Sequence, residues 1–172
     1  FPGRQGFIEY CLSLYYRYLN LDFRMAPSAG SATGVLPNPL GYNRVYVRQR
    51  GKFSADNWYR SLQTGPVIAT NGPVLFFEVK GRGTLRTVSV EALSRDPIRV
   101  VELVANGRVV HLERPRGDGR SLRFEYIMDA AKYSWVAARC FADTGETTRM
   151  AHSSPVFLDG SFDARDDARY FV

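Results

Sequence analysis

The sequence predicts a mainly β fold, a sandwich of short strands preceded by a mixed helix-and-strand segment, and three observations carry that expectation. The apolar pattern changes period along the chain: residues 5–20 repeat at three- and four-residue spacing, whereas the chain after Thr64 reads as short alternating or continuously apolar blocks. Turn residues punctuate that second part, with Asn106-Gly107, 115–119 and 143–145 lying between β-rich runs. With 45% hydrophobic and 13% aromatic residues, the 172-residue chain can build a core and groups with ordinary globular proteins rather than disordered, collagenous or disulfide-framed ones.

Taken in order, residues 5–20 form an amphipathic helix whose apolar face is marked by Phe7, Cys11, Leu14, Tyr15 and Tyr18. Residues 25–39 are rich in Pro, Gly, Ser and Ala and read as a long loop, either functional or wrapped around another part of the molecule. A short strand at 45–47 follows. Ser54 is placed to cap a helix over 55–62, which Gly65 stops. Strands are then expected at 67–69, 74–79, 85–93, 99–104, 108–112, 121–127, 134–141 and 155–158. Asn106-Gly107 is the strongest hairpin signal, because a type I′ turn needs positive φ at both central residues, so 98–112 reads as one hairpin. About seven short strands at this spacing suit an immunoglobulin- or fibronectin-like sandwich. The expected division is residues 1–70, a sandwich over 71–160, and the start of a helix over 161–172.

The longest apolar runs, such as Pro73-Val74-Leu75-Phe76-Phe77, are strand-length and far short of the roughly 20 residues of a membrane helix. The formal charge of +6 comes mostly from arginines scattered along the chain, without the block or stripe that nucleic-acid binding calls for. Cys11 and Cys140 sit in apolar contexts without metal spacing and read as buried free thiols. Neither export nor a cytoplasmic location is indicated. The chain opens at Phe1-Pro2-Gly3 without methionine or signal peptide and ends in a helix start without a C-cap, so a fragment of a larger protein is expected.

Residues able to do chemistry are sparse. A hydrolytic metal site draws on several His, Asp, Glu or Cys ligands, and the chain has two histidines, His111 and His152. The strand pattern favours an exposed His111, and His152, opening a strand before Pro155, reads as a loop-fixing hydrogen bonder rather than a catalyst. Asp163, Asp166 and Asp167 resemble a metal-rich cluster, but at a helix start they read as partners of its dipole. No serine elbow, phosphate loop or Cys-His pairing is visible.

Four elements occur in the order Tyr15 to Asn20 (Tyr-Tyr-Arg-Tyr-Leu-Asn), Ser28-Ala29-Gly30-Ser31, Gly41-Tyr42-Asn43-Arg44 and Thr70-Asn71-Gly72-Pro73, followed by His152-Ser153-Ser154-Pro155-Val156-Phe157. In this combination the chain resembles the carbaryl-hydrolase-like (CehA/McbA) metallohydrolases, of the PHP class. The resemblance implies that residues 1–70 are the end of a PHP-like α/β hydrolase domain, and that Tyr42, Asn43, Arg44 and Asn71 lie near the substrate. It further makes Gly30, Ala32, Gly34, Gly72, Pro73 and His152 parts of the structural motif. The family places a late metal-binding Asp, often with a His two residues on, where this chain has Ala32 and Gly34, and its early His-x-His motif is absent. The implied divalent metal would therefore belong to a larger parent protein, and this chain is expected to hold neither metal ligands nor a catalytic residue.

The expected function is thus the non-catalytic C-terminal part of a metal-dependent hydrolase acting on amides, esters or carbamates. Its partner would be the remainder of that protein, with self-association through exposed sheet edges, and neither nucleic acid nor membrane as partners. The alternative is a sandwich that binds carbohydrate or a protein through exposed aromatics such as Trp135 or Tyr133, and a third reading is a structural or oligomerising domain.

Overall fold

The computed structural model describes residues 6–49, 51–145 and 147–172, so Phe1-Pro2-Gly3 and the expected helix start at Gln5 lie outside the described residues. The elements are α1 (Gly6–Asn20), β1 (Arg44–Val47), α2 (Ala55–Thr64), β2 (Val67–Thr70), β3 (Val74–Lys80), β4 (Leu85–Leu93), β5 (Ile98–Ala105) and β6 (Arg108–Glu113). They continue with β7 (Ser121–Asp129), a 3-10 turn (Ala130–Lys132), β8 (Trp135–Asp143), β9 (Thr148–Ser153), β10 (Val156–Phe157) and α3 (Arg165–Arg169). The fold is mainly β, with two antiparallel sheets packed as a sandwich. The large sheet has the order β1-β2-β9-β8-β5-β6, with β10 added on β8, and the small sheet has the order β3-β4-β7.

The central strand β8 explains the layering. Trp135, Val136, Ala137, Ala138, Cys140, Phe141 and Ala142 are all buried, so both faces of this strand need cover. Val136, Ala138 and Cys140 point between the sheets, onto Leu75, Val88 and Val90 of the small sheet. Trp135, Ala137 and Phe141 point the opposite way, and α1 covers them with Leu12, Tyr16 and Leu19. The alternation along β8 follows the sequence, and the molecule is three layers deep at this point: helix, large sheet, small sheet.

Several local signals hold. The Ser54 Oγ accepts from the Asn57 N–H at 3.2 Å and caps α2, and the Gly65 N–H closes it on the Ser61 carbonyl. Asn106 and Gly107 have φ of +48° and +79°, joining β5 to β6 as a two-residue hairpin. The Asn106 side chain does more than turn the chain: its Oδ1 accepts from the Ser134 N–H (3.0 Å), the Ser134 hydroxyl (2.8 Å) and the Trp135 N–H (3.4 Å), pinning the start of β8.

Other expectations fail. The inward face of α1 is Leu12, Tyr16 and Leu19, whereas Phe7 (76% exposed), Cys11 and Tyr18 point outward. The helix is apolar or aromatic nearly all round, so a three-four spacing can be traced on two faces, and contacts of Tyr16 with the sheet decide between them. Strand β9 has no counterpart among the expected strands, because it carries Arg149 and His152 and shows no simple alternation. Consequently His152 closes β9 rather than opening a later strand. The register Ile68↔Ser153, Ala69↔His152, Thr70↔Ala151 ties β2 to β9, so the large sheet runs across 71–73, where the sequence reading divides the chain.

Asn106 gives a direct test of the hairpin. Replacing it with Ala strains a positive-φ position and removes three buried hydrogen bonds, and is expected to lower stability by about 3 kcal/mol, whereas Asn106→Gly keeps the backbone and loses about 2 kcal/mol. Urea unfolding of both variants checks the order as well as the size.

Candidate functional site

The residues expected near a substrate lie on the loop before β1, at the first residue of β1 and on the β2–β3 turn, and their hydrogen bonds go mostly to backbone. Ser31 and Asn43 bond reciprocally: the Ser31 hydroxyl donates to the Asn43 carbonyl (3.1 Å) and accepts from the Asn43 N–H (2.9 Å). The Asn43 side-chain amide donates to the Gly30 carbonyl at 3.0 Å. Between them Ala32 (φ +48°) and Gly34 (φ +92°) turn the loop, with the Ala32 carbonyl accepting from Val35 and Leu36. Arg44 donates to the Tyr46 hydroxyl (2.9 Å) and toward the carbonyls of Gly41 and Tyr42.

Asn71 works as an extra rung on β9. Its N–H donates to the Met150 carbonyl (3.1 Å), its Oδ1 accepts from the Met150 N–H (2.7 Å), and its Nδ2 donates to the Thr148 carbonyl (3.2 Å). The neighbouring Thr70 hydroxyl reaches the carbonyls of Pro73 (2.6 Å) and Met150 (2.9 Å) and accepts from the Gly72 N–H (2.9 Å). A Cβ on Gly72 would sit 2.9 Å from Cβ of Arg149, so glycine is required by close approach, not by φ.

Arg149, which the sequence does not single out, brings two of the expected residues together. Its Nη1 donates to the Asn71 carbonyl at 3.0 Å, and its guanidinium lies over the Tyr42 ring, 4.7 Å from the centroid. Its Nε is buried without a hydrogen-bond partner, 3.8 Å from Oδ2 of Asp96. Tyr42 and Asn71 therefore share one cation, while Asn43 and Arg44 stabilise the loop.

A cluster of buried and partly buried polar side chains lies under α1. Glu102, Arg139 and His152 are cross-strand neighbours on β5, β8 and β9, on the face that α1 covers. The Arg139 Nε donates to Glu102 Oε2 at 2.6 Å, and its Nη1 donates to the Tyr16 hydroxyl at 3.3 Å. The His152 Nδ1 lies 2.7 Å from the Ser153 carbonyl, which can only accept, so Nδ1 carries the proton and Nε2 accepts from the Tyr16 hydroxyl at 2.9 Å. Hydrogen bonds thus run in one direction from Arg139 through Tyr16 and His152 to Ser153. Burial pushes the His152 pKa down to about 4, and Arg139 adds to that shift. Burial likewise raises the Tyr16 phenol to about 12, against the opposing pull of Arg139. Both rings are neutral near pH 7, and with both nitrogens engaged His152 has no lone pair free for a metal or a substrate proton. Beside this network a depression of about 250 Å³ is bordered by Glu9, Arg99, Glu102, Arg114 and Arg139.

The remaining candidates resolve into structure. Trp135 is fully buried, and its Nε1 donates to Asn20 Oδ1 at 2.8 Å, so it anchors α1 and presents nothing to a carbohydrate. Tyr133 is half-buried against the sandwich core. His111 is also half-buried, stacked on Tyr126 with centroids 4.5 Å apart. The three aspartates near the end separate: Asp163 bonds to Arg165, Asp166 pairs with Arg169, and Asp167 binds Arg17 (2.7 Å) and the Asn20 amide (2.8 Å). Among the described residues no three His, Cys, Asp or Glu side chains converge as a ligand set.

No protein-family model, curated protein or solved structure matches the chain.

The buried His152 predicts a pH dependence with a definite sign. Its folded pKa lies below the ordinary 6.5, so the unfolded chain binds the extra proton first. The associated stability is complete above about pH 6.5 and is lost as pH falls toward 4, by about 3 kcal/mol. Urea midpoints measured across that window are expected to fall more steeply for the parent chain than for His152→Gln, which has no such proton to bind. Parallel slopes would contradict a buried neutral His152.

Proposed function

We propose that this chain is the non-catalytic C-terminal part of a metal-dependent hydrolase of the carbaryl-hydrolase-like type, acting on amides, esters or carbamates. The observation that carries the reading is the self-sufficiency of the segments that bear the resemblance. Tyr42, Asn43, Arg44 and Asn71 are all present, yet Asn43 and Asn71 bond to neighbouring backbone, Arg44 to the Tyr46 hydroxyl, and the Tyr42 ring lies under Arg149. Their role in the parent is to hold the rim of a substrate site in shape, with Gly30, Gly72 and Pro73 setting the turns. The residues in hand do not fit a divalent cation, since Ala32 and Gly34 offer no side-chain ligand and both nitrogens of His152 are engaged. Any catalytic metal belongs to residues outside this chain.

In this reading α1, β1, α2 and β2 come from the PHP-like α/β part but are built into the sandwich, whose large sheet β1 and β2 extend and α1 covers, and the sandwich is of immunoglobulin or fibronectin type, a view supported by its antiparallel pairing and short hairpins. The rest of the hydrolase would cover the edge of β1, which among the described residues pairs with no second strand and carries the exposed Tyr46 between the exposed Leu40 and Phe53.

Elemental analysis of the purified chain, paired with hydrolysis of an aryl ester and an aryl carbamate with and without added zinc or manganese, tests the first part. We expect no stoichiometric metal and no turnover above the buffer rate; bound metal with metal-dependent turnover would overturn the proposal. For the uncovered edge, light scattering is expected to show a dimer or larger species of the isolated chain, and a monodisperse monomer would count against it.

A further inference from the structure

The small sheet ends at β7, which pairs with β4 along all nine of its residues and, among the described residues, has no strand on its other side. An unpaired edge of that length offers backbone N–H and C=O groups to solvent, and proteins ordinarily blunt such edges with a proline, a bulge or lysines. β7 contains neither proline nor lysine, its charged Arg123 and Glu125 lie on the exposed face rather than turning inward, and its register with β4 is unbroken. The other edges are better protected: β1 is four residues long, β6 has a register shift against β5, and β3 starts after Pro73 and packs over β8 and β9.

Beside the Ser121 end of β7 lies a depression of about 530 Å³, lined by Arg114, Arg116 and Arg123 together with Glu91, Glu113 and Phe124. Among the described residues none of these three arginines is held in an ion pair, so three free cations outnumber the two carboxylates. Behind the strand, the His111 ring from β6 covers Phe124 and Tyr126, at 5.2 and 4.5 Å between centroids, which closes the gap between the sheets. What remains open is the β7 backbone, the arginines at one end of it, and Ile127, 68% exposed, toward the other.

We propose that β7 is a docking edge for an extended acidic peptide segment, which adds to the small sheet as a fourth strand. Antiparallel addition is the more stable pairing per residue and places the C-terminal half of the guest beside Ser121 and Arg123. The guest therefore carries its carboxylates in that half, against Arg114, Arg116 and Arg123. Arg123 and Ile127 project from the same face of β7, so the guest has an apolar residue four positions before an acidic one. Main-chain hydrogen bonds supply the affinity, and the arginines set the direction.

The test uses the whole chain and a fluorescein-labelled nine-residue peptide of alternating Val and Thr that begins with Val, with Glu replacing its last two Val residues, so that a Val stands four positions before a Glu on the same face. Anisotropy titration is expected to show binding that weakens by about tenfold or more when alternate backbone nitrogens of the peptide are methylated, or when Lys replaces Glu. The double variant Arg114→Glu/Arg123→Glu is expected to lose a similar factor, and hydrogen exchange should slow at β7 amides but not at β3 amides on peptide addition. If the variant fails to fold, the methylated and Lys peptides decide the matter on the parent chain. No binding, equal binding of the methylated peptide, or tighter binding of an oligothymidylate probe would overturn the proposal.

Discussion

The large sheet is apolar on both faces around β8, and a sheet of that kind is stable in water only if both faces are covered. The small sheet covers one. The other is left to α1, and Trp135 shows how much depends on it: a tryptophan buries on the order of 200 Å², which at about 25 cal/mol per Å² corresponds to roughly 5 kcal/mol. Removing the helix would expose this ring together with Phe141, Val100 and Val104. The helix is therefore a third layer of the sandwich, and α3 is fastened to it in turn through Asp167, which holds both Arg17 and Asn20.

Beneath the helix lies the polar row of Glu102, Arg139 and His152. A buried ion pair adds little net stability, because desolvating both charges offsets their attraction, but removing one partner is expensive. Its effect is geometric: Arg139 fixes where the Tyr16 hydroxyl must sit, and His152 accepts from that hydroxyl in a second direction. Two constraints on one oxygen choose the face of α1 that packs inward. On the opposite face of β9, Arg149 has the corresponding role for the loop before β1 and the β2–β3 turn, holding Tyr42 by its ring and Asn71 by its carbonyl.

What could be read from the sequence was what neighbouring residues determine among themselves. The Asn106-Gly107 turn, the Ser54 cap, the Gly65 stop and the in-out alternation of β8 all follow from local chemistry. The face of α1 did not, because an all-round apolar helix takes its orientation from a tyrosine that meets His152 at a sequence separation of 136 residues. β9 is hidden for a related reason: Arg149 and His152 look polar in sequence and are accommodated by partners distant in sequence, Asn71 and the Tyr42 ring for Arg149 and Tyr16 for His152. Of the candidate site, the turn and loop residues were legible as motifs, whereas the cation joining them was not, since Arg149 meets Asn71 only across a 78-residue separation. Trp135 was legible as a strand residue whose exposure would discriminate between functions, and its burial beneath a helix rather than between sheets required the third layer to be known.

α1, β2 and the sandwich form one cooperative unit organised by the doubly covered large sheet. Native-state hydrogen exchange over a series of denaturant concentrations tests it most directly, since amides in one unit share an opening free energy. The slowest amides of α1 and β2 are expected to converge with those of β5 and β8 on the global unfolding free energy. Exchange of α1 and β2 through a separate opening, several kcal/mol below that of β5 and β8 and with a smaller denaturant dependence, would mean that they open as a unit of their own.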